Sequence, residues 1–168
     1  MLPKRTRLKS FDYLGLHRYF LTFCTHDRQE LFTSDEVVNA ALRQILRAAR
    51  QCDFAIHAYV FMRDHVHLLV EGTTDSSDLR EFVKLAKQLS GYGYSQKKKG
   101  RLWQPSYFEH VLREGESTTR VISYIMNNPI RAGYATQWGE YRFIGSDTAS
   151  LDGIAELLRD NPQPAWEP

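Results

Sequence analysis

At 168 residues, 42% of them hydrophobic and 12% aromatic, the chain fits one domain with a sizeable core, and no apolar run is long enough to cross a bilayer. The formal charge of +2 hides an asymmetry: residues 140–168 hold six acids and two bases, leaving twenty bases and fourteen acids before them. A basic body suits a polyanion such as nucleic acid. The start, "MLPKRTRLKSF", lacks an apolar segment and a small-residue cleavage site, so a cytoplasmic protein is expected. Cys24 and Cys52 lie far apart without a CxxC spacing, which argues against a disulfide framework or a thiolate metal site, and both read as small core residues.

Lys4, Arg5, Arg7 and Lys9 form a basic N-terminal arm. Residues 18–25, "RYFLTFCT", are rich in β-branched and aromatic side chains and alternate in polarity, which predicts a strand. The segment "TSDEVVNAALRQILRAAR" pairs Thr33 with Glu36 as a capping box and carries a broad apolar stripe, so a helix is expected. "FAIHAYVFM" and "HVHLLVEG" read as a hairpin turning at Arg63-Asp64. Ser77 or Asp78 opens a second helix that should end before Gly91 and Gly93, followed by a flexible basic loop with Lys97, Lys98, Lys99 and Arg101.

"WQPSYFEHVLR" predicts a fourth strand, with Pro105 marking an edge or entry position. "ESTTRVISYIMNN" predicts a third helix, capped near Ser117 and stopped by Pro129. The order β-α-β-β-α-β plus a helix gives an α+β, ferredoxin-like antiparallel sheet with two helices on one face and the other face available. Residues 1–139 form the single domain in this reading, and 140–168 an acidic tail with a short helix, "LDGIAELLRD".

Side chains alternate along a strand, so His65 and His67 share one face with Cα atoms about 6.6 Å apart, near enough for two imidazoles to meet one ion. Val66, Leu68 and Val70 point the other way and offer the helices an apolar row, which leaves the histidines on the open face. The opposing reading is a strand that carries histidines toward solvent without chemistry. A histidine-triad hydrolase would need a third alternating histidine, and position 69 is leucine. Two imidazoles suit Mn²⁺, Zn²⁺ or another transition metal, and a third ligand must complete the shell. On the third helix, Tyr124 shares a flank with Arg120, Val121 and Asn128 that need not be buried, while Ile122, Ile125 and Met126 anchor the helix. A phenol in that setting is a candidate nucleophile for a phosphate, or else a rim aromatic.

"VFMRDHVHLLVEG" together with "LWQPSYFEHVLREGESTTRVISYIMNNPIRAGYA" and "RYFLTFCTHDRQELF" resembles the single-tyrosine HUH (IS200-like) transposases, most closely the REP-associated tyrosine transposases. The resemblance spans roughly residues 18–135 in consistent order. It implies that His65 and His67 bind a divalent ion, Mg²⁺ or Mn²⁺, and that Tyr124 attacks DNA to give a 5′-phosphotyrosine. It also implies a single-stranded DNA substrate beside a repetitive-palindrome hairpin, with a monomer favoured over a homodimer. Related insertion-sequence enzymes use a glutamine four residues after the tyrosine as third ligand. Asn128 occupies that position here, with His110 or Glu109 as alternatives. The arm, the Lys97–Arg101 segment and Arg120 would hold phosphates, and Trp103, Tyr107 or Phe108 would stack bases. The rival readings are an inactive hairpin-binding module and a metal-dependent phosphodiesterase that uses water. The acidic tail either folds back across the DNA groove or caps apolar surface with "IAELL".

Overall fold

A computed structural model describes residues 11–161 together with Trp166 and Pro168. The basic arm with Lys4, Arg5, Arg7 and Lys9 therefore lies outside the described residues. Strands β1 (Arg18–Cys24), β2 (Phe54–Met62), β3 (His65–Gly72), β4 (Phe108–Val111) and the two-residue β5 (Ile144–Gly145) form one sheet in the order β4-β1-β3-β2-β5. All pairings are antiparallel. The first four strands thus have the ferredoxin-like arrangement, and β5 extends its β2 edge.

Alternation divides the strands between two cores. Tyr19, Leu21, Phe23, Phe61, Val66, Leu68 and Val70 face helices α1 (Asp35–Gln51) and α2 (Leu79–Lys98). Phe20, Ala58, Val60, Met62 and Leu69 face the other way. That second face is not open as expected. Helix α3 (Thr118–Arg131) lies on it through Val121, Ile122, Ile125 and Met126, and Ile154 of α4 (Leu151–Asp160) and Trp166 extend the cover. The apolar row Phe20, Val60 and Leu69 explains this, because a sheet face with such side chains must be buried by something.

Several boundaries differ from the sequence reading for local reasons. The cap of α1 is Ser34, whose side chain accepts from the Val37 N–H, rather than Thr33. Asp78 caps α2, which runs through Gly91 and Gly93 to Lys98, so Lys97 and Lys98 are helical and Lys99 is the left-handed cap. The cost of two helical glycines, about 1 kcal/mol each against alanine, is outweighed by the burial of Leu79, Phe82, Val83, Ala86 and Ser90 against the sheet and α1. Trp103 makes only an isolated bridge to Thr25, and regular pairing of β4 begins at Phe108. Ser117 caps α3 as expected, but the helix passes through Pro129 to Arg131 because Ile125, Met126 and Pro129 are all buried on the sheet. Gly133, at φ 73°, then supplies the left-handed residue that ends it.

Candidate active site

The β2–β3 turn pairs Met62 with His65, leaving Arg63-Asp64 as its two-residue tip, and β3 then pairs His65 with Cys24 and His67 with Thr22. Cross-strand partners share a face, so Thr22 is packed beside the His67 ring. His67 is 3% exposed and Thr22 1%. The two histidine Nε2 atoms stand 3.2 Å apart. Two nitrogens each about 2.1 Å from one ion, at an angle near 100°, would be about 3.2 Å apart.

The outer ring nitrogens are occupied in the way such a pair requires. His65 Nδ1 lies 2.6 Å from Asp64 Oδ1. A carboxylate only accepts, so His65 carries its proton on Nδ1 and keeps a lone pair on Nε2. His67 Nδ1 lies 2.8 Å from Thr22 Oγ1, and a hydroxyl can turn to accept from that nitrogen and free Nε2. Burial lowers the pKa of His65, against the raising effect of Asp64. Burial holds His67 well below the ordinary histidine range, with His65, Arg28 and Arg131 adding repulsion. Both rings are thereby kept neutral and able to ligate near neutral pH. Asp64 is itself fixed by Arg28 Nε at 2.9 Å. Arg28 and Asp27 both occupy left-handed backbone, at φ 56° and 52°.

Tyr124 faces this pair across the second core. Its half-buried ring is 5.9 Å from His67 and 5.7 Å from Phe20, edge-on to the latter. The strand and the helix, distant in sequence, therefore bring paired imidazoles and a phenol to one pocket. The Arg131 guanidinium sits 5.0 Å from the Tyr124 ring centre. Trp166 closes another side, 5.2 Å from Tyr124, 5.0 Å from Phe20 and 5.7 Å from His110. Trp166 also hydrogen-bonds Glu116. Burial of that carboxyl favours protonation, but bonds from Arg113 N–H, His110 and Trp166 outweigh it and hold the pKa below the usual range.

The remaining expected residues divide. Asn128 stays on the Tyr124 face of α3, with Nδ2 donating to the Tyr124 carbonyl at 2.8 Å, so its amide oxygen is the atom left for an ion. Glu109 lies on the opposite sheet face, paired with Leu21, and accepts from the Tyr13 hydroxyl. His110 is on the histidine face, but its Nε2 is 2.7 Å from Glu116 Oε1. Among the described residues no three His, Cys, Asp or Glu side chains come together as a metal-binding group. The donor set thus favours the two imidazoles and an amide or substrate oxygen.

Arg120 lies one turn before Tyr124, half-buried, whereas Val121, expected on an unburied flank, is fully buried. Lys97, Lys98, Lys99 and Arg101 are exposed on the α2 side of the sheet, and Lys98 reaches Glu36. Trp103, expected to stack bases, is a core residue. Its indole N–H donates to Ser90 Oγ at 2.8 Å and its ring packs on Phe23 and Phe32. The sequence reading missed Thr22, Asp64, Arg28, Arg131 and Trp166. Asp64 was signalled by adjacency to His65, and Arg131 by its position seven residues after Tyr124.

Fold and site together define an α+β protein in which a strand-borne histidine pair and a helix-borne tyrosine meet on one sheet face. The family model described as transposase IS200-like matches residues 14–128, and the chain belongs to that family. It is 30% identical over 103 residues to the REP-associated tyrosine transposase of Escherichia coli K12, the match covering 59% of this chain and 58% of that protein. A putative REP-associated tyrosine transposase of Haemophilus influenzae Rd is 23% identical over 128 residues, covering 69% and 72%. The fold matches a solved REP-associated tyrosine transposase bound to a REP hairpin, with a TM-score of 0.70 at 19% identity, covering 98% of this chain and 92% of that one. Among the described residues no helix is long and apolar enough to cross a membrane.

Proposed function

We propose that this protein cuts and rejoins single-stranded DNA beside a hairpin of the repetitive-palindrome kind, through a covalent link to Tyr124. The observation that carries the reading is the pair of Nε2 atoms 3.2 Å apart, in the pocket where the Tyr124 ring lies 5.9 Å from His67. His65 and His67 would hold a divalent ion, Mg²⁺ or Mn²⁺, with Asn128 as third protein ligand. Such an ion supplies charge neutralisation at a phosphate oxygen.

The Tyr124 oxygen forms a bond to phosphorus as the phosphorus–O3′ bond breaks. The electron pair leaves with O3′, which takes up a proton, while the phenolic proton passes to water. The products are a 5′-phosphotyrosine and a free 3′-hydroxyl. Because the linkage keeps the phosphodiester energy, a second 3′-hydroxyl reverses the step and joins strands without ATP.

The Tyr124 ring packs 5.9 Å from His67 of its own chain, an arrangement that a monomer can use without exchanging tyrosines. The exposed lysines of α2 and Arg101 supply phosphate contacts that carry no sequence information. A cytoplasmic location fits this substrate.

The test is incubation with a hairpin oligonucleotide and Mn²⁺, comparing wild type with Tyr124→Phe. Wild type should cleave and the variant should not, with hairpin affinity retained by both. Cleavage that survives Tyr124→Phe would select the water-using phosphodiesterase, and hairpin binding without cleavage by wild type would select the inactive module.

A further inference from the structure

Arg131 stands beside the site with no role assigned by the histidines or Tyr124. On α3 it lies seven residues after Tyr124 and three after Asn128, spacings that place all three on one helix face. Its guanidinium carbon is 5.0 Å from the Tyr124 ring centre, and that ring is 5.9 Å from the His67 ring. It therefore stands beside the candidate nucleophile, next to the histidine pair.

Four other guanidiniums are committed elsewhere. Arg28 holds Asp64 at 2.9 Å and Cys24 Sγ at 2.7 Å. Arg63 reaches Glu30 and lies over the Tyr134 ring. Arg142 pairs with Asp35 at 2.6 Å, and Arg18 with the Thr118 hydroxyl. Arg131 is exposed and bridges no carboxylate among the described residues. An exposed guanidinium stacked on a candidate nucleophile, with no carboxylate partner among the described residues, has an environment that lacks an anion.

We infer that Arg131 is a catalytic residue that binds a non-bridging oxygen of the scissile phosphate and offsets the charge that builds there as the Tyr124 oxygen attacks. This rests on the phosphotyrosine chemistry proposed above and adds a second source of positive charge supplied by the protein itself. Fork-shaped donors aimed at developing phosphoryl charge raise the rate more than they raise affinity, because the charge they meet grows toward the transition state. The end of α3 keeps the group in place: Gly133 N–H bonds Ile130 O and Tyr134 N–H bonds Pro129 O at 2.8 Å, fixing the turn that carries Arg131.

The experiment compares wild type, Arg131→Ala and Arg131→Gln in single-turnover adduct formation at saturating hairpin oligonucleotide and saturating Mn²⁺. Hairpin and Mn²⁺ affinities are measured in parallel. Both variants should lose about 10²- to 10³-fold in rate, with each dissociation constant within about threefold of wild type. Glutamine keeps a planar group to lie over the Tyr124 ring but removes the charge. Near-normal activity in Arg131→Gln would therefore show a packing role and overturn the inference. So would Arg131→Ala within about threefold of the wild-type rate. A wild type that forms no adduct would instead remove the chemistry on which the inference stands.

Discussion

The Trp166 ring packs against Tyr124 in an edge arrangement, and replacing it should accelerate the reaction by uncovering the phenol, even as it weakens packing. Its ring contacts with Phe20, Tyr124 and His110 lie at 5.0, 5.2 and 5.7 Å, and it is 7% exposed. Three such contacts at about 1 kcal/mol each, with a hydrogen bond to Glu116 worth about 1 kcal/mol, are opposed by about 1 kcal/mol for ordering the side chain. The net is about 3 kcal/mol, which leaves the uncovered state at roughly 1% of molecules. Trp166→Ala should therefore raise the single-turnover rate of adduct formation by up to about 100-fold. The assay is the time course of adduct on a denaturing gel, with thermal melting to confirm the fold. An unchanged or lower rate in a folded Trp166→Ala protein would refute the reasoning, and Trp166 would be only a cap on the second core.

Three further outcomes follow from the site and the core. Asp64→Asn removes the carboxylate that fixes His65 Nδ1–H, and should weaken Mn²⁺ affinity about 10- to 100-fold by calorimetry while hairpin binding stays close to wild type. Because the folded-state pKa values of His65 and His67 are lowered, the unfolded chain takes up protons as pH falls through the ordinary histidine range, where the folded chain excludes them. Stability without metal is full above about pH 6.5 and falls as pH drops below it. His67→Gln should flatten the melting-temperature profile between about pH 7 and 5, and an unchanged slope would contradict the assignment. Trp103→Ala should cost about 3–5 kcal/mol in denaturant unfolding, with hairpin affinity reduced only by the unfolded fraction; a selective loss of affinity at full stability would restore it to the DNA surface.

The sheet was legible because its signals are local. Alternation in "HVHLLV" placed His65 and His67 opposite Val66, Leu68 and Val70, as found, and the two-residue tip at Arg63-Asp64 set the hairpin register. The β-α-β-β-α-β order was enough for the ferredoxin-like arrangement. What escaped the sequence depends on long-range packing. Trp103 looks like any aromatic in a basic neighbourhood until Ser90, thirteen residues earlier on α2, accepts its N–H. Pro129 carries a strong local stop signal, yet burial of the Ile125–Pro129 face carries α3 on to Arg131, and so brings that guanidinium to the pocket. Thr22 and Trp166 reach the histidines and Tyr124 from 45 residues before His67 and from the far end of the chain, separations that no spacing rule reports.

The most direct measurement is peptide mapping after reaction with a hairpin oligonucleotide and Mn²⁺. The protein is digested, the nucleotide-bearing peptide is isolated, and its modified residue is located by tandem mass spectrometry. The account predicts a 5′-phosphoryl fragment on Tyr124 and a released strand ending in a 3′-hydroxyl. A cleaved strand with no protein-bound fragment, or a fragment on any other residue, would contradict it.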